Sequence, residues 1–152
     1  MAYASLQARQ DLLETIGEAI DELSRALAAL GDAYDQLDER TADALEEQLF
    51  RPLQSAYGRA QRTYAGFAGR HGLETRGFDP TGPGAPSRGV REFVETAADA
   101  VTEADTILVD LQDSMLPVEV GDAELRAGLA QVRELLDPLP ERAHQLLRTF
   151  GR

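Results

Sequence analysis

The sequence contains no cysteine, no lysine and no asparagine among its 152 residues. Without cysteine the chain has no disulfide framework, thiolate zinc site, iron–sulfur cluster or cysteine nucleophile. This absence fits a reducing compartment, and we expect the protein to be cytoplasmic. Apart from two histidines, every basic side chain is one of 15 arginines.

Long apolar runs are also missing. The N-terminal stretch has no run of signal-peptide length, and no segment approaches the roughly 18 apolar residues of a membrane-spanning helix. We therefore expect a soluble protein that is not secreted and has no membrane partner.

Acidic residues outnumber basic ones, which produces a formal net charge of −12. An acidic surface repels phosphate, and this argues against nucleic acid as a partner. The charge is unevenly spread, because residues 1–47, 48–76 and 77–152 carry net charges of −9, +4 and −7. One basic block therefore lies between two acidic ones.

Apolar side chains recur near the N-terminus at alternating spacings of three and four, a pattern that only an α-helix places on one face. The seam consists of Leu13, Ile16, Ile20, Leu23, Leu27, Leu30, Tyr34 and Leu37. Three later stretches carry seams of similar length. The sequence predicts helices over about 5–38, 41–71, 88–115 and 122–150, within a single domain spanning 1–152. The predicted fold class is all-α, an antiparallel four-helix bundle.

Prolines interrupt two of the predicted helices. The apolar register of the second helix shifts by one residue beside Pro52, and we predict a kink there because a mid-helix proline removes one backbone hydrogen bond. The register of the fourth helix survives Pro138 and Pro140. A kink or a break into two collinear helices is predicted at these prolines.

Capping residues mark the predicted helix ends. Thr41, Ser87 and Asp122 are predicted N-caps, since a hydroxyl or carboxylate accepts hydrogen bonds from the first backbone amides. Gly72 is predicted to end the second helix in the left-handed conformation, with Leu73 folding back on the last turn.

The lengths of the connections limit the topology. The link between the first two helices and the Leu116–Gly121 link are too short to cross the bundle at about 3.3 Å per residue, so each joins an antiparallel pair. The loop over 73–87 is long enough to span roughly 50 Å. Both an up-down-up-down bundle and a crossover bundle are therefore possible, and we favour the up-down-up-down order as the simpler one.

Arginines alternate with aromatic residues along the second helix. Tyr57, Arg59, Arg62, Tyr64 and Arg70 are the candidate ligand-binding residues, because this mixture suits an anionic ligand or a stacked ring. The competing interpretation is structural: the aromatics have core spacing, and the arginines can pair with acids of neighbouring helices.

Other motifs offer little chemistry. Glu141-x-x-His144 matches half of a di-iron motif but has no second copy and lies outside the apolar seam. The carboxylates around the first interhelical turn lack the spacing of an EF-hand loop. The glycines of the 73–87 loop lack the Gly-Lys-Ser/Thr ending of a phosphate loop. We assign no catalytic residue, no metal ligand and no cofactor.

Wide apolar faces without convergent polar groups favour a non-enzymatic protein that acts through protein contacts, as a homodimer or an accessory subunit. The alternative is a small-ligand or anion binder with a pocket between helices near the Pro52 kink. In that alternative Tyr57 and Tyr64 line the pocket, and Arg59 or Arg62 lies at its mouth.

Overall fold

The computed structural model describes residues 2–80 and 89–150, and every regular element in these two ranges is helical. The prediction of an all-α protein is confirmed. In chain order the elements are α1 (Ala2–Tyr34), α2 (Glu39–Leu45), a π-helical segment (Glu46–Phe50, hereafter the π segment), α3 (Arg51–His71), α4 (Val90–Asp113), α5 (Leu116–Val120), α6 (Ala123–Leu136) and α7 (Leu139–Phe150).

The predicted seam of α1 is the side that packs against the other helices. Its buried members are Leu13, Ile16, Ile20, Leu23, Leu27 and Leu30, joined by Leu12, Ala19, Ala26 and Ala33 on the flank. Fully burying a leucine or isoleucine side chain stabilises the fold by about 1.5–3 kcal/mol. The last two members of the seam are exceptions: 40% of the Tyr34 surface is exposed, and Leu37, which lies beyond the end of α1, is half-buried.

The first interhelical turn differs from the prediction. Helix α1 ends at Tyr34 rather than at residue 38, and α2 already begins at Glu39. The N-cap is Asp38, whose extended backbone lets its carboxylate accept a hydrogen bond of 2.9 Å from the Thr41 N–H. The assignment of Thr41 as the cap is therefore wrong, since Thr41 supplies the amide and not the acceptor. The predicted cap Ser87 lies outside the described residues.

Two predicted helix ends are confirmed. Gly72 adopts the left-handed conformation with a φ of 66°, and the Leu73 N–H donates to the Ala68 carbonyl at 2.9 Å. Asp122 caps α6 by accepting a hydrogen bond of 2.9 Å from the Leu125 N–H. Both ends follow from local chemistry, which explains why the sequence alone identifies them.

The π segment ends two residues before Pro52, where the apolar register shifts. A π-helical turn contains more residues than an α-helical turn, so it absorbs the shift. Pro52 has no N–H to offer the carbonyl of Gln48 four residues earlier. The Arg142 guanidinium donates to that carbonyl instead, at 3.2 Å, and thereby ties α7 to the π segment.

The second pair of prolines lies where α6 gives way to α7. Helix α6 ends at Leu136 and α7 begins at Leu139, with Asp137 and Pro138 forming a turn between them. Pro140 occupies the first turn of α7, where backbone N–H groups have no intrahelical acceptor and a proline therefore removes no hydrogen bond.

Side-chain pairs show the direction of each helix. Ser24 meets Tyr57, and Gly17 lies beside Tyr64, so α1 is antiparallel to α3. The pairs Arg59–Gln131 and Arg70–Asp122 make α3 antiparallel to α6. Arg133 pairs with Asp105, and Arg91 donates to the Leu147 carbonyl, so α4 is antiparallel to α6 and α7. Helices α3 and α4 consequently run in the same direction.

The favoured up-down-up-down order is therefore wrong. Helix α1 makes its most extensive contact with α4 and a smaller one with α3, while α3 packs on α6 and α4 packs on α7. Because α3 and α4 are parallel, the chain has to return along the length of α1 between them. The segment over 73–80 begins this return, since Arg76 pairs with Asp21 of α1. The hydrogen bonds of Arg76 with Asp21 and with the Tyr64 hydroxyl agree with a return of the chain along α1.

Candidate functional site

The three predicted arginines of α3 do not converge on one site. The Arg59 Nε donates to the Gln131 side chain at 2.6 Å, toward α6. Arg62 is exposed and forms no hydrogen bond or ion pair with another described residue. Arg70 lies about 16 Å further along the helix than Arg59, at 1.5 Å per residue. These positions agree better with separate structural roles than with a shared anion site.

The two predicted tyrosines face α1 and the segment after α3. The Tyr57 hydroxyl lies 3.0 Å from the Ser24 hydroxyl. Tyr64 is buried, and its hydroxyl accepts a hydrogen bond of 3.2 Å from the Arg76 N–H. The Phe78 ring packs edge-on against the Tyr64 ring at 4.9 Å. Both tyrosines thus hold parts of this chain together and lie on a different side of α3 from Arg59.

Arg76 anchors the segment over 73–80 and was not among the predicted site residues. Its guanidinium forms two hydrogen bonds with the Asp21 carboxylate, of 3.0 and 2.7 Å, and lies 4.4 Å from the centre of the Phe78 ring. The hydrogen bonds that the Arg76 guanidinium donates to Asp21 raise the pKa of Arg76 above its ordinary value. This arrangement, which we call the Arg76 clamp, holds Pro80 near the end of α1. No local pattern indicates it, because the partners are 55 residues apart.

A second polar cluster joins the end of α3 to the start of α6. The buried Asp122 carboxylate accepts two hydrogen bonds of 2.9 Å from Arg70 and one of 2.9 Å from His71, in addition to its cap bond with the Leu125 N–H. Burial by itself would raise the pKa of Asp122, but the hydrogen bonds from Arg70, Leu125 and His71 outweigh it and lower the pKa to about 2. The carboxylate remains charged and fully partnered, which suits a structural role.

An open groove lies between the end of α1 and the π segment, with a volume of about 650 Å³. Its lining is apolar at the floor and acidic at the rim: Leu27, Ala28, Gly31, Asp32, Tyr34, Asp35, Glu46, Phe50, Gln54 and Pro80. None of the five predicted binding residues, all of which the structure describes, is part of this lining. The groove lies close to Pro52, where the sequence predicts a pocket, but other residues form it.

The acidic rim reverses the expected ligand charge. Asp32 and Asp35 have no ion-pair partner among residues 6–80 and 89–150, whereas Glu46 lies 3.9 Å from the Arg51 guanidinium. Carboxylates at the rim repel an anion and attract a cation. The acidic 1–47 block, rather than the basic block, therefore determines what this groove can accept.

Metal ligation has no site in the described part of the chain. No group of three or more histidine, aspartate or glutamate side chains there is arranged to hold a metal ion. Within the Glu141-x-x-His144 motif, Glu141 pairs with Arg148 at 3.5 Å and His144 is exposed. The motif is a surface feature of α7.

No protein-family model, no curated protein and no solved structure matches this chain. Among the helices of the described residues, none has the length and apolar character that crossing a membrane requires. Fold class alone does not specify function, which depends on particular sites such as the groove and its charges.

Proposed function

We propose that this chain is a non-enzymatic protein that works through contacts with another protein. The groove between α1 and the π segment is the surface that makes these contacts. The observation that carries the proposal is the half-open apolar lining of this groove. A partner that fills it removes the exposed faces of Tyr34 and Phe50 from water, and burial of apolar surface is the main driving force of association.

The aromatic residues of the groove support this assignment. Tyr34 is one of two large apolar residues that stay exposed in the described part of α1, the other being Leu6 near the start of the helix. Phe50 is half-buried, and its neighbour Leu49 lies fully within the core. Tyrosine and phenylalanine are enriched at protein interfaces, where a few aromatic side chains supply much of the binding energy. The groove thus offers anchors that rest on a rigid core.

The proposal includes an architecture. The long helices are arranged as an antiparallel four-helix bundle with a crossover connection, and the second helix bends at the π segment beside Pro52. The pattern of neighbours, α1 with α3 and α4, and α6–α7 with the same two helices, supports this arrangement. The net charge of −12 and the lack of cysteine support a cytoplasmic protein that does not bind nucleic acid.

A small-ligand binder is the second candidate function. The volume of about 650 Å³ falls within the range of about 300–1,000 Å³ that small-molecule sites occupy. The acidic rim favours a cationic or neutral ligand over the anion that the sequence suggests. Binding of a small molecule from a cell extract, detected by native mass spectrometry of the purified protein, would support this alternative.

The main proposal is tested by comparing two variants that remove an exposed apolar side chain. Tyr34→Ser changes the groove, whereas Val118→Ser changes α5 at the opposite end of α1, where 50% of the valine surface is exposed. Cross-linked complexes are recovered from cells that express each tagged protein. We expect the wild-type protein and Val118→Ser to recover the same partner, and Tyr34→Ser to lose it.

Sedimentation velocity of the purified proteins separates a homodimer from a hetero-complex. A dimer that dissociates in Tyr34→Ser identifies a second copy as the partner in the groove. Partner recovery that is equal in the two variants, or a wild-type protein that is monomeric and recovers no partner, contradicts the proposal.

A further inference from the structure

We infer that the partner of the groove is an amphipathic helix of another protein, whose apolar stripe is flanked by arginine or lysine. This inference deepens the proposed protein-contact function and rests on it. It names the charge and shape of the partner, which the contact function alone leaves unspecified.

Acidic residues surround the groove. Residues 32–47, which extend from the last turn of α1 into the π segment, contain seven carboxylates and one arginine. Asp32 and Asp35 have no ion-pair partner in the described part of the chain, and Glu46 has only the distant, largely exposed Arg51. A like-charged partner is repelled from such a surface, and a basic one is drawn to it before contact forms.

The floor of the groove is apolar. Leu27 contributes the buried bottom of the groove, while Tyr34 and Phe50 expose part of their rings at its sides. A segment with only basic side chains would leave the apolar floor in contact with water, so the partner needs apolar side chains as well. The aromatic rings also attract cations held over their faces, which strengthens binding of arginine or lysine beside the apolar stripe.

The rim carboxylates lie on two sides of the groove. Asp32 lies in the last turn of α1 and Asp35 directly follows the last residue of that helix, where its N–H still donates to the Gly31 carbonyl at 3.2 Å. The two carboxylates therefore lie at neighbouring positions at the end of α1. Glu46 faces them from the other side of the groove. Basic residues on both flanks of an apolar helical stripe recur at the same three- and four-residue spacing, and helix-in-groove recognition uses this periodicity.

One wall of the groove is in place before any partner binds. Pro80 forms one wall of the groove, and the Arg76 clamp attaches its segment to α1 through the Asp21 carboxylate. A wall that is already in place before the partner arrives reduces the conformational entropy lost on binding. The groove is therefore suited to receive a rigid element such as a helix.

Three fluorescent peptides of about 18 residues, or five helical turns, provide the test. The first has a leucine stripe flanked by lysine, the second replaces each lysine with glutamate, and the third has the composition of the first with its stripe scrambled. Fluorescence anisotropy with the full chain measures their affinities. We expect binding of the first peptide that weakens as salt is raised, and affinities at least about tenfold lower for the other two.

Matched charge variants locate the binding site. The triple variant Asp32→Asn, Asp35→Asn, Glu46→Gln neutralises the rim. We expect it to bind the first peptide with an affinity at least about tenfold lower than that of the wild-type protein. The control triple Glu103→Gln, Asp110→Asn, Asp113→Asn removes the same charge from exposed positions of α4. We expect this control to lower the affinity for the first peptide by less than about threefold, because salt screens charges that lie far from the groove.

Equal losses in the two triple variants, or equal affinities for the stripe and scrambled peptides, reduce the binding to general attraction and overturn the inference. Tight binding of the glutamate peptide overturns it as well. None of these results affects the partner recovery test with Tyr34→Ser, so the contact function can stand while the basic helix is rejected. Self-association through the groove in sedimentation assigns it to a second copy and also rejects the inference.

Discussion

Replacing Gly128 with alanine perturbs a close contact between α3 and α6. A Cβ atom at this position would lie 2.8 Å from the Thr63 Cγ2 and 3.1 Å from the Thr63 Cβ, with the Thr63 hydroxyl oxygen closer still. Favourable carbon–carbon contacts lie at about 3.5–4.0 Å. Thr63 cannot simply rotate away, because its hydroxyl donates to the Arg59 carbonyl at 2.8 Å. The helices therefore have to separate or this hydrogen bond has to break.

The expected magnitude combines three terms. Overpacking of a tight interior costs about 1–3 kcal/mol. Loss of the Thr63 hydrogen bond adds about 0.5–1.5 kcal/mol where it occurs. The better helix propensity of alanine offsets about 1 kcal/mol. We expect Gly128→Ala to lower the free energy of unfolding by about 0.5–3.5 kcal/mol, with a fall in Tm of roughly 2–4 °C for each kcal/mol in a chain of this length.

Gly69→Ala is the matched control, because a Cβ at Gly69 in α3 meets nothing within 4 Å. This variant should gain up to about 1 kcal/mol from helix propensity. Urea unfolding followed by circular dichroism measures both variants. Adding Thr63→Ala to Gly128→Ala should recover about 1 kcal/mol or more, as a coupling energy between residues in contact.

A Gly128→Ala protein that is as stable as Gly69→Ala, with no coupling to Thr63, would refute the packing of α3 on α6. It would also remove the argument against the up-down-up-down order, in which these two helices lie diagonally opposite. The experiment therefore tests the topology as well as one contact.

Two further predictions concern the polar clusters. The pKa of Asp122 is lowered from 3.8 to about 2, so its charge contributes about 2 kcal/mol of stability above pH 4 that is lost as the pH falls through 2. In urea unfolding between pH 5 and 2, Asp122→Asn should therefore lose less stability than the wild-type protein, and parallel curves would contradict this role. Arg76→Gln should release the segment over 73–80, which hydrogen exchange would detect as lost protection of the backbone amide of residue 76. The Tm should change little, because an exposed ion pair is worth less than about 1 kcal/mol. Arg62→Gln, at an arginine without a partner among the described residues, is the control and should leave that protection unchanged.

The predicted binding residues show where sequence interpretation loses its basis. Tyr57 and Tyr64 have the spacing of core aromatic residues, and the structure places them against Ser24 and the segment after α3. Whether an arginine serves a ligand or an acid of its own chain depends on which helices are neighbours. Arg70 finds Asp122, 52 residues away, only because α3 packs antiparallel to α6. No local pattern contains that information.

The groove illustrates the same limit. Its acidic residues and Tyr34 are visible in the sequence, but Tyr34 fits the seam and is predicted to be buried with it. It stays exposed at the last residue of α1, where it lines the open groove. The groove also needs Pro80, which the Arg76 clamp brings back beside α1.

The sequence by itself determined the long helices, most of their buried faces and the ends that Gly72 and Asp122 mark, because periodicity and capping act within a few residues. It also determined the local charge, including the acidic stretch that rims the groove. It did not determine the short helix α5, which forms within the predicted Leu116–Gly121 link. Only the tertiary structure decided the helix order, the partners of the arginines and the position of the groove. A connection of about fifteen residues is long enough for either topology, so contacts between distant segments had to choose between them.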